Sequence, residues 1–214
     1  MNADDAVSHY TQLAAETRMQ RGADEPRWLG ERRAAALASF TAGGFPTRKQ
    51  EGWRYTSLDK LLTQMFATPR EPVYRISQES ISSLRTTDVG AVRLVFCDGH
   101  LVEPLSDINN LPDGIQVSSL RDRLASPSKQ VWEQLDRLFA NDNEAFDYIN
   151  TALAEDGLWL EVEANVSLDR PIEVIHTSQQ RDAGLLLAPR NLVIMQPGAQ
   201  ATLIEHYSSP PGST

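Results

Sequence analysis

The sequence predicts an α+β chain, with a helical α/β domain over residues 1–156 followed by a β-rich part over 157–214. Three observations carry this. Apolar residues recur at helical spacing up to Phe66 and again from Val131 to Leu153. Between them, Val92-Arg93-Leu94-Val95-Phe96-Cys97 reads as a strand, Asp98-Gly99 as a two-residue turn and His100-Leu101-Val102-Glu103 as the return strand. Beyond Gly157 the helical period is lost, and short apolar runs alternate with turn residues.

The elements follow in order. A helix is expected from Ala3 to Met19, with Val7, Tyr10, Leu13 and Ala14 on one face. A polar break ends at Pro26. A second helix runs from Trp28 to Phe40 with Leu29, Ala36, Leu37 and Phe40 inward, and stops at Gly43-Gly44. Leu58, Leu61, Leu62, Met65 and Phe66 give a short amphipathic helix that Pro69 closes. The serine-rich stretch from Pro69 to Thr87 lacks a period and reads as loop, with one short strand over Val73 to Ile76. After the hairpin, Ile115 to Val117 is a strand, Ser118 or Ser119 caps a helix to Leu124, and further helices span Lys129 to Ala140 and Asn143 to Leu153. The first of these carries Val131, Trp132, Leu135, Leu138 and Phe139 on one side. The second carries Ala145, Phe146, Ile149, Ala152 and Leu153, with Asp156-Gly157 as a left-handed cap. Strands are then expected over 158–162, 171–176, 185–188, 192–195 and 201–207, in a stacked arrangement that is either coil on coil or a sandwich.

Composition bounds the function. A net charge of −9 argues against a nucleic-acid or anionic-membrane partner, since phosphate binding needs a concentrated positive field. No apolar run approaches the roughly 20 residues of a membrane helix. The acidic start, Met-Asn-Ala-Asp-Asp, has no basic region leading into an apolar core, so cytoplasm is the expected location. The single cysteine, Cys97, excludes an intramolecular disulfide and cannot complete a cysteine-based zinc or cluster site. On a strand it is a small buried hydrophobe; its functional alternative is to hold a sulfur atom or supply one cluster ligand. Of the histidines, His176 and His206 beside Glu205 raise one rival reading, a small cupin-like metal-binding enzyme. No phosphate-binding loop or nucleophile elbow is present, so no catalytic residue is assigned and nucleotide hydrolysis belongs to another chain.

The segment from Phe45 to Leu58 stands apart. Pro46 fixes φ and keeps Phe45 extended, and Arg48, Lys49, Glu51 and Arg54 then interleave with Trp53 and Tyr55. As plain structure it is a connector whose Trp53 and Tyr55 are buried. As function it is a docking surface, because Arg, Tyr and Trp dominate interfaces. A stand-alone interaction module would use the same residues.

Pro46-Thr47-Arg48-Lys49-Gln50-Glu51-Gly52-Trp53-Arg54-Tyr55-Thr56-Ser57-Leu58 resembles the N-terminal signature of the SufD branch of the SufB/SufD family, scaffold subunits of the Suf iron–sulfur cluster assembly system. Asn143 to Gly157 resembles a second element of that family. Pro189-Arg190-Asn191-Leu192-Val193-Ile194 with Ala201-Thr202-Leu203-Ile204-Glu205 resembles a third. The resemblance implies that 157–214 forms the opening rungs of a right-handed parallel β-helix. It also implies a non-enzymatic scaffold working with a SufC-like ATPase and a SufB-like subunit, with the iron–sulfur cluster carried by the assembly. Family chains are longer, so an open β-helix end and self-association through it are expected. The resemblance also implies that the positions contacting the ATPase and forming the cluster belong to the family's C-terminal region, outside the part that residues 1–214 resemble.

Overall fold

The computed structural model describes residues 3–21, 25–69, 76–86, 90–125, 131, 133–135, 137, 144–178 and 184–208. Its helices are α1 (Ala3–Arg21), α2 (Arg27–Gly43), α3 (Asp59–Leu62), α4 (Gln78–Leu84), α5 (Leu120–Ala125) and α6 (Ala145–Leu153). Its strands are β1 (Val92–Cys97), β2 (His100–Leu101), β3 (Ile115–Ser119), β4 (Leu158–Val162), β5 (Ile172–Thr177), β6 (Leu192–Met195) and β7 (Leu203–Ser208). The chain divides into two compact units, one of Met1–Thr68 with Leu124–Ala154, the other of Pro69–Arg123 with Glu155–Thr214. The sequence placed a boundary at 156–157. The chain passes between the units close to that point, and also after Thr68 and after Arg123.

The first unit is helical. In α1 the buried residues Ala6, Tyr10, Leu13, Ala14 and Thr17 fall three or four apart, the stripe expected of an amphipathic helix. In α2 they are Leu29, Arg33, Ala36 and Phe40. Arg33, unforeseen in this set, is neutralised by Glu25 at 2.9 Å and donates to the Ala152 carbonyl at 3.4 Å. Gly44 ends α2 at φ +65°, a conformation open to glycine, with its N–H on the Phe40 carbonyl at 2.7 Å. The expected helix over 58–66 is a single turn, α3, because Met65 beyond it is exposed and no apolar face continues. Glu144 and Asp147 cap α6 reciprocally, with the Glu144 N–H donating to Asp147 Oδ2 at 3.3 Å. Within the expected helix 129–140, the described residues Val131, Glu133, Gln134, Leu135 and Arg137 are helical. Trp132, Leu138 and Phe139 lie outside the described residues, as does most of the expected strand at 73–76.

The second unit holds two sheets, of strand order β2-β1-β5-β7 and β3-β4-β6. The hairpin turn is as expected, with β1 and β2 antiparallel and Asp98 and Gly99 at φ of 48° and 84°, the pair of positive angles a type I′ turn needs. The return strand, however, stops at Leu101, and Glu103 begins a 3-10 turn over Glu103–Leu105. β1, β5 and β7 run parallel, with Phe96, His176 and Tyr207 in one row. β4 is antiparallel to β3 and parallel to β6. Val92, Leu94 and Phe96 of β1, with Ile172 and Val174, face Ile115, Val117, Leu158, Leu160 and Val162 of the other sheet. The opposite face of β1 and β5 is covered as well, since Val95, Cys97 and Ile175 pack with Ile76, Ile81 and Val102. Burial on both faces explains their unbroken apolar runs.

Three expectations fail here for local reasons. The stretch read as loop contains α4, capped by Ser77, whose Oγ accepts the Ser80 N–H at 3.2 Å; it buries Ile81 alone, too little for a periodic signal. Gly157 is not a left-handed cap, because α6 ends at Leu153 with Ala154 as its cap and the positive-φ glycines are others. Its lack of a side chain matters instead, since a Cβ would lie 2.0 Å from the Arg190 carbonyl oxygen. The expected strand at 185–188 reduces to one bridging residue, Leu185, and the chain to Asn191 is irregular.

Candidate functional site

The segment after Pro46 is fixed by local backbone bonds. Gln50 N–H donates to the Thr47 carbonyl at 2.9 Å, Trp53 to Gln50 at 3.1 Å, Arg54 to Glu51 at 3.3 Å and Thr56 to Trp53 at 3.0 Å. These successive turns, with a single 3-10 turn over Glu51–Trp53, keep the segment compact without a continuous helix.

It is fastened to the helical unit through aromatic rings. Phe45 is buried against Tyr10 and Phe40, with ring centroids 5.2 and 5.1 Å apart and edge-to-face geometry. Phe146 of α6 lies 5.8 Å from Phe45 and 5.4 Å from Trp53, stacked on the latter. The Trp53 indole N–H donates to Glu144 Oε2 at 3.2 Å. Trp53 is half-buried, where the connector reading expected it buried. Tyr55 is not: 89% of it is exposed, because the turn at Arg54 directs it away from the ring cluster. Gly43, Gly52, Trp53, Glu144 and Tyr148 line a cleft of about 310 Å³ beside this anchor.

The charged residues of the segment face outward. Arg48, Lys49, Glu51 and Arg54 are all exposed. Arg48 Nε donates to the Arg54 carbonyl at 3.3 Å, and the Arg54 guanidinium sits 5.6 Å from the Tyr55 ring centroid. Among the described residues no carboxylate lies within salt-bridge reach of Arg48, Lys49 or Arg54. The six residues singled out in the sequence therefore separate into one anchor, Trp53, and five exposed groups. Of the anchor's partners, Phe146 is on the expected inward face of its helix and Glu144 lies in the Asn143–Gly157 element, but nothing in the sequence links either of them to Trp53.

The second unit disperses the rival metal set. His176 Nε2 lies 3.1 Å from Glu205 Oε1, on the face shared by Phe96 and Tyr207, whose rings stack on the imidazole at 5.1 and 4.5 Å. Asn191 Nδ2 and the Tyr207 hydroxyl also donate to that Glu205 oxygen, at 2.7 and 2.8 Å. His206 projects from the opposite face of β7, 3.5 Å from Glu173 Oε1. Strand alternation thus puts His176 and His206 on two faces. Burial holds the His176 imidazole below its usual range against the pull of Glu205, so it is neutral near pH 7. Among the described residues no group of three or more His, Cys, Asp or Glu is placed to hold a metal ion.

Two buried carboxylates are structural. Glu173, fully buried, accepts from Arg93 Nε at 2.7 Å and from the Thr86 N–H and hydroxyl at 2.7 and 2.9 Å. Asp156 accepts from the Ser119 hydroxyl at 2.6 Å and from the backbone N–H groups of Leu101, Arg121 and Gly157. Cys97 is buried, and desolvation together with Asp98 pushes its thiol up to about 12, so it is an inert core residue. Among the described residues no helix is long and apolar enough to cross a membrane.

Comparison with known proteins gives the same direction. A family profile, SufBD protein N-terminal region, matches residues 4–174. The chain is 26% identical over 205 residues to an iron–sulfur cluster assembly SufBD family protein of Synechocystis sp. (strain ATCC 27184 / PCC 6803 / Kazusa), covering 95% of this chain and 44% of the relative. It is 30% identical over 175 residues to the iron–sulfur cluster assembly protein SufD of Escherichia coli (strain K12), covering 81% of this chain and 38% of the relative. The chain thus spans less than half the length of these curated relatives.

Proposed function

The chain belongs to the SufBD family, and from that membership we propose that it is a non-catalytic scaffold component of iron–sulfur cluster assembly, acting in the cytoplasm. The observation that carries this reading is the family match over residues 4–174, which includes the whole 46–58 segment. The partners it implies are a SufC-like ATPase and a SufB-like scaffold subunit. The cluster is cargo of that assembly. This chain offers it one cysteine, buried and with its thiol raised to about 12, so ligands come from elsewhere in the complex.

The signature segment is, in this reading, the docking surface of the helical unit. Trp53 is its rigid anchor, and Arg48, Lys49, Glu51, Arg54 and Tyr55 are its exposed contacts. The strands after Gly157 are the opening rungs of a right-handed parallel β-helix. Their parallel pairings β4 with β6 and β5 with β7 support this, since each returns the chain to the same sheet about one coil later.

Co-expression of the tagged chain with a SufC-like ATPase and a SufB-like subunit tests the function. The expected result is a complex of defined stoichiometry in size-exclusion light scattering, together with iron and sulfide that the chain alone does not retain. Elution of the chain alone under every condition, at the mass of a free chain, refutes the scaffold reading.

A further inference from the structure

Building on the docking reading, we propose that the exposed face of residues 47–55 binds a short acidic segment of a partner protein, with Arg48, Lys49 and Arg54 meeting its carboxylates and Tyr55 its apolar side chains. The first observation is how these cations are left. Elsewhere Arg21, Arg27, Arg33, Arg93 and Arg121 each have a carboxylate within 4.0 Å. Arg48, Lys49 and Arg54 have none among the described residues, although the chain carries 29 acidic residues against 20 basic ones. Three exposed cations thus gather in one short segment with no carboxylate among the described residues within salt-bridge reach, Arg48 donating instead to the Arg54 carbonyl.

The second observation is the aromatic group beside them. Tyr55 is 89% exposed, the most exposed of the large apolar side chains described, and the Arg54 guanidinium lies over its ring at 5.6 Å. Arginine and tyrosine side by side combine charge with apolar contact area, the pairing that concentrates interface energy. The third is rigidity. The turns from Thr47 to Thr56 and the Trp53 anchor on Phe146 and Glu144 hold the segment in place. Binding therefore costs little ordering entropy.

The charge balance selects the partner class. Glu51 is the segment's own carboxylate and reduces its net charge to +2. Such a patch, on a chain of net charge −9, is too small for an extended polyanion. A short acidic peptide segment engages within a screening length of about 8 Å and avoids the remaining surface.

The test is fluorescence anisotropy with the whole chain and a labelled peptide of alternating Glu and Leu, beside its Gln–Leu counterpart. The Glu peptide is expected to bind, to weaken with salt, and to lose about tenfold or more in affinity to the variant carrying Arg48→Glu, Lys49→Glu and Arg54→Glu, or about 1.4 kcal/mol. Tyr55→Ser weakens both peptides. All four side chains are exposed, so circular dichroism is expected to match the parent. Should the reversed variant not fold, the Tyr55→Ser variant and the salt dependence of the parent decide. Equal binding of the two peptides, or an unchanged reversed variant, overturns the proposal. So does single-stranded RNA or a phosphatidylserine vesicle binding as tightly through the same residues. Co-purification with the scaffold and ATPase partners keeps the two readings apart: a complex that forms without peptide discrimination removes only this inference, and absence of a complex removes the function.

Discussion

Glu173→Gln removes one charge from a pair sealed inside the second unit. The Glu173 side chain is 0% exposed and that of Arg93 11%, with Nε and Oε2 2.7 Å apart. The variant leaves the Arg93 guanidinium buried without a counter-charge, and breaking such pairs costs about 3–5 kcal/mol. The glutamine oxygen can accept from Thr86 or from Arg93, but its amide then faces the other donor, so the lower bound is about 3 kcal/mol. At an m-value of about 2 kcal/mol per M, the urea midpoint falls by about 1.5 M. Burial alone would raise the Glu173 carboxyl; the Thr86 N–H, the Arg93 side chain and the Thr86 hydroxyl overcome it and hold the group below the usual range. The stability it supplies is complete above the unfolded carboxylate pKa of about 4.3 and is lost as pH falls through the lower folded value. The variant therefore differs most from the parent at neutral pH, and the two converge in acid. Urea denaturation across pH 3–7 measures both effects. A loss under about 1 kcal/mol at pH 7 refutes the reasoning, as does an Arg93→Met/Glu173→Leu double variant no more stable than the single one.

Other perturbations have equally definite outcomes. Gly157→Ala drives a methyl to 2.0 Å from the Arg190 carbonyl oxygen; backbone on both sides must move, and thermal melting is expected to show a loss of about 1–3 kcal/mol. Cys97 in the folded protein is expected to resist Ellman's reagent at pH 8, while one thiol per chain reacts in urea; rapid native reaction contradicts its burial. Burial holds His176 and His100 below their usual range, so the unfolded state binds protons that the folded state refuses, and stability falls as pH drops through about 6.5. His176→Phe, which keeps a ring between Phe96 and Tyr207, is expected to flatten that slope in part. Trp53→Ala loses the Phe146 stack and the Glu144 hydrogen bond, about 1–3 kcal/mol together, and lowers the melting temperature even without a partner present.

Elements whose stabilising partners are local were readable from the sequence. The β1–β2 hairpin follows from Asp98-Gly99 alone, because both residues sit at positive φ and little else satisfies that turn. Helix α1 follows from the spacing of Tyr10, Leu13 and Ala14. Elements defined by distant partners were not. α4 buries Ile81 against Val95 and Ile175, and nothing within Gln78–Leu84 announces that core. Pairing of β1 with β5, some 80 residues on, makes Pro69–Arg123 part of the β-rich unit, whereas a composition shift near Gly157 registers only where helices cease.

The candidate site shows the same division, with a physical reason attached. The three family-like segments, far apart in sequence, supply one another's contacts within each unit. Trp53 of the first finds Glu144 and Phe146 of the second. Asp156 and Gly157, closing the second, find Arg190 and Asn191 of the third, through the Arg190 N–H on the Asp156 carbonyl at 3.1 Å and the close approach of backbone to Gly157. These contacts account for Trp53, Phe146, Asp156 and Gly157 as structure. They do not account for Arg48, Lys49, Arg54 and Tyr55, which lie in the same segment, are exposed, and make no ion pair among the described residues. The segment anchors itself with one aromatic residue and leaves its cations and second aromatic outward, and that residue-level division is what the docking proposal rests on.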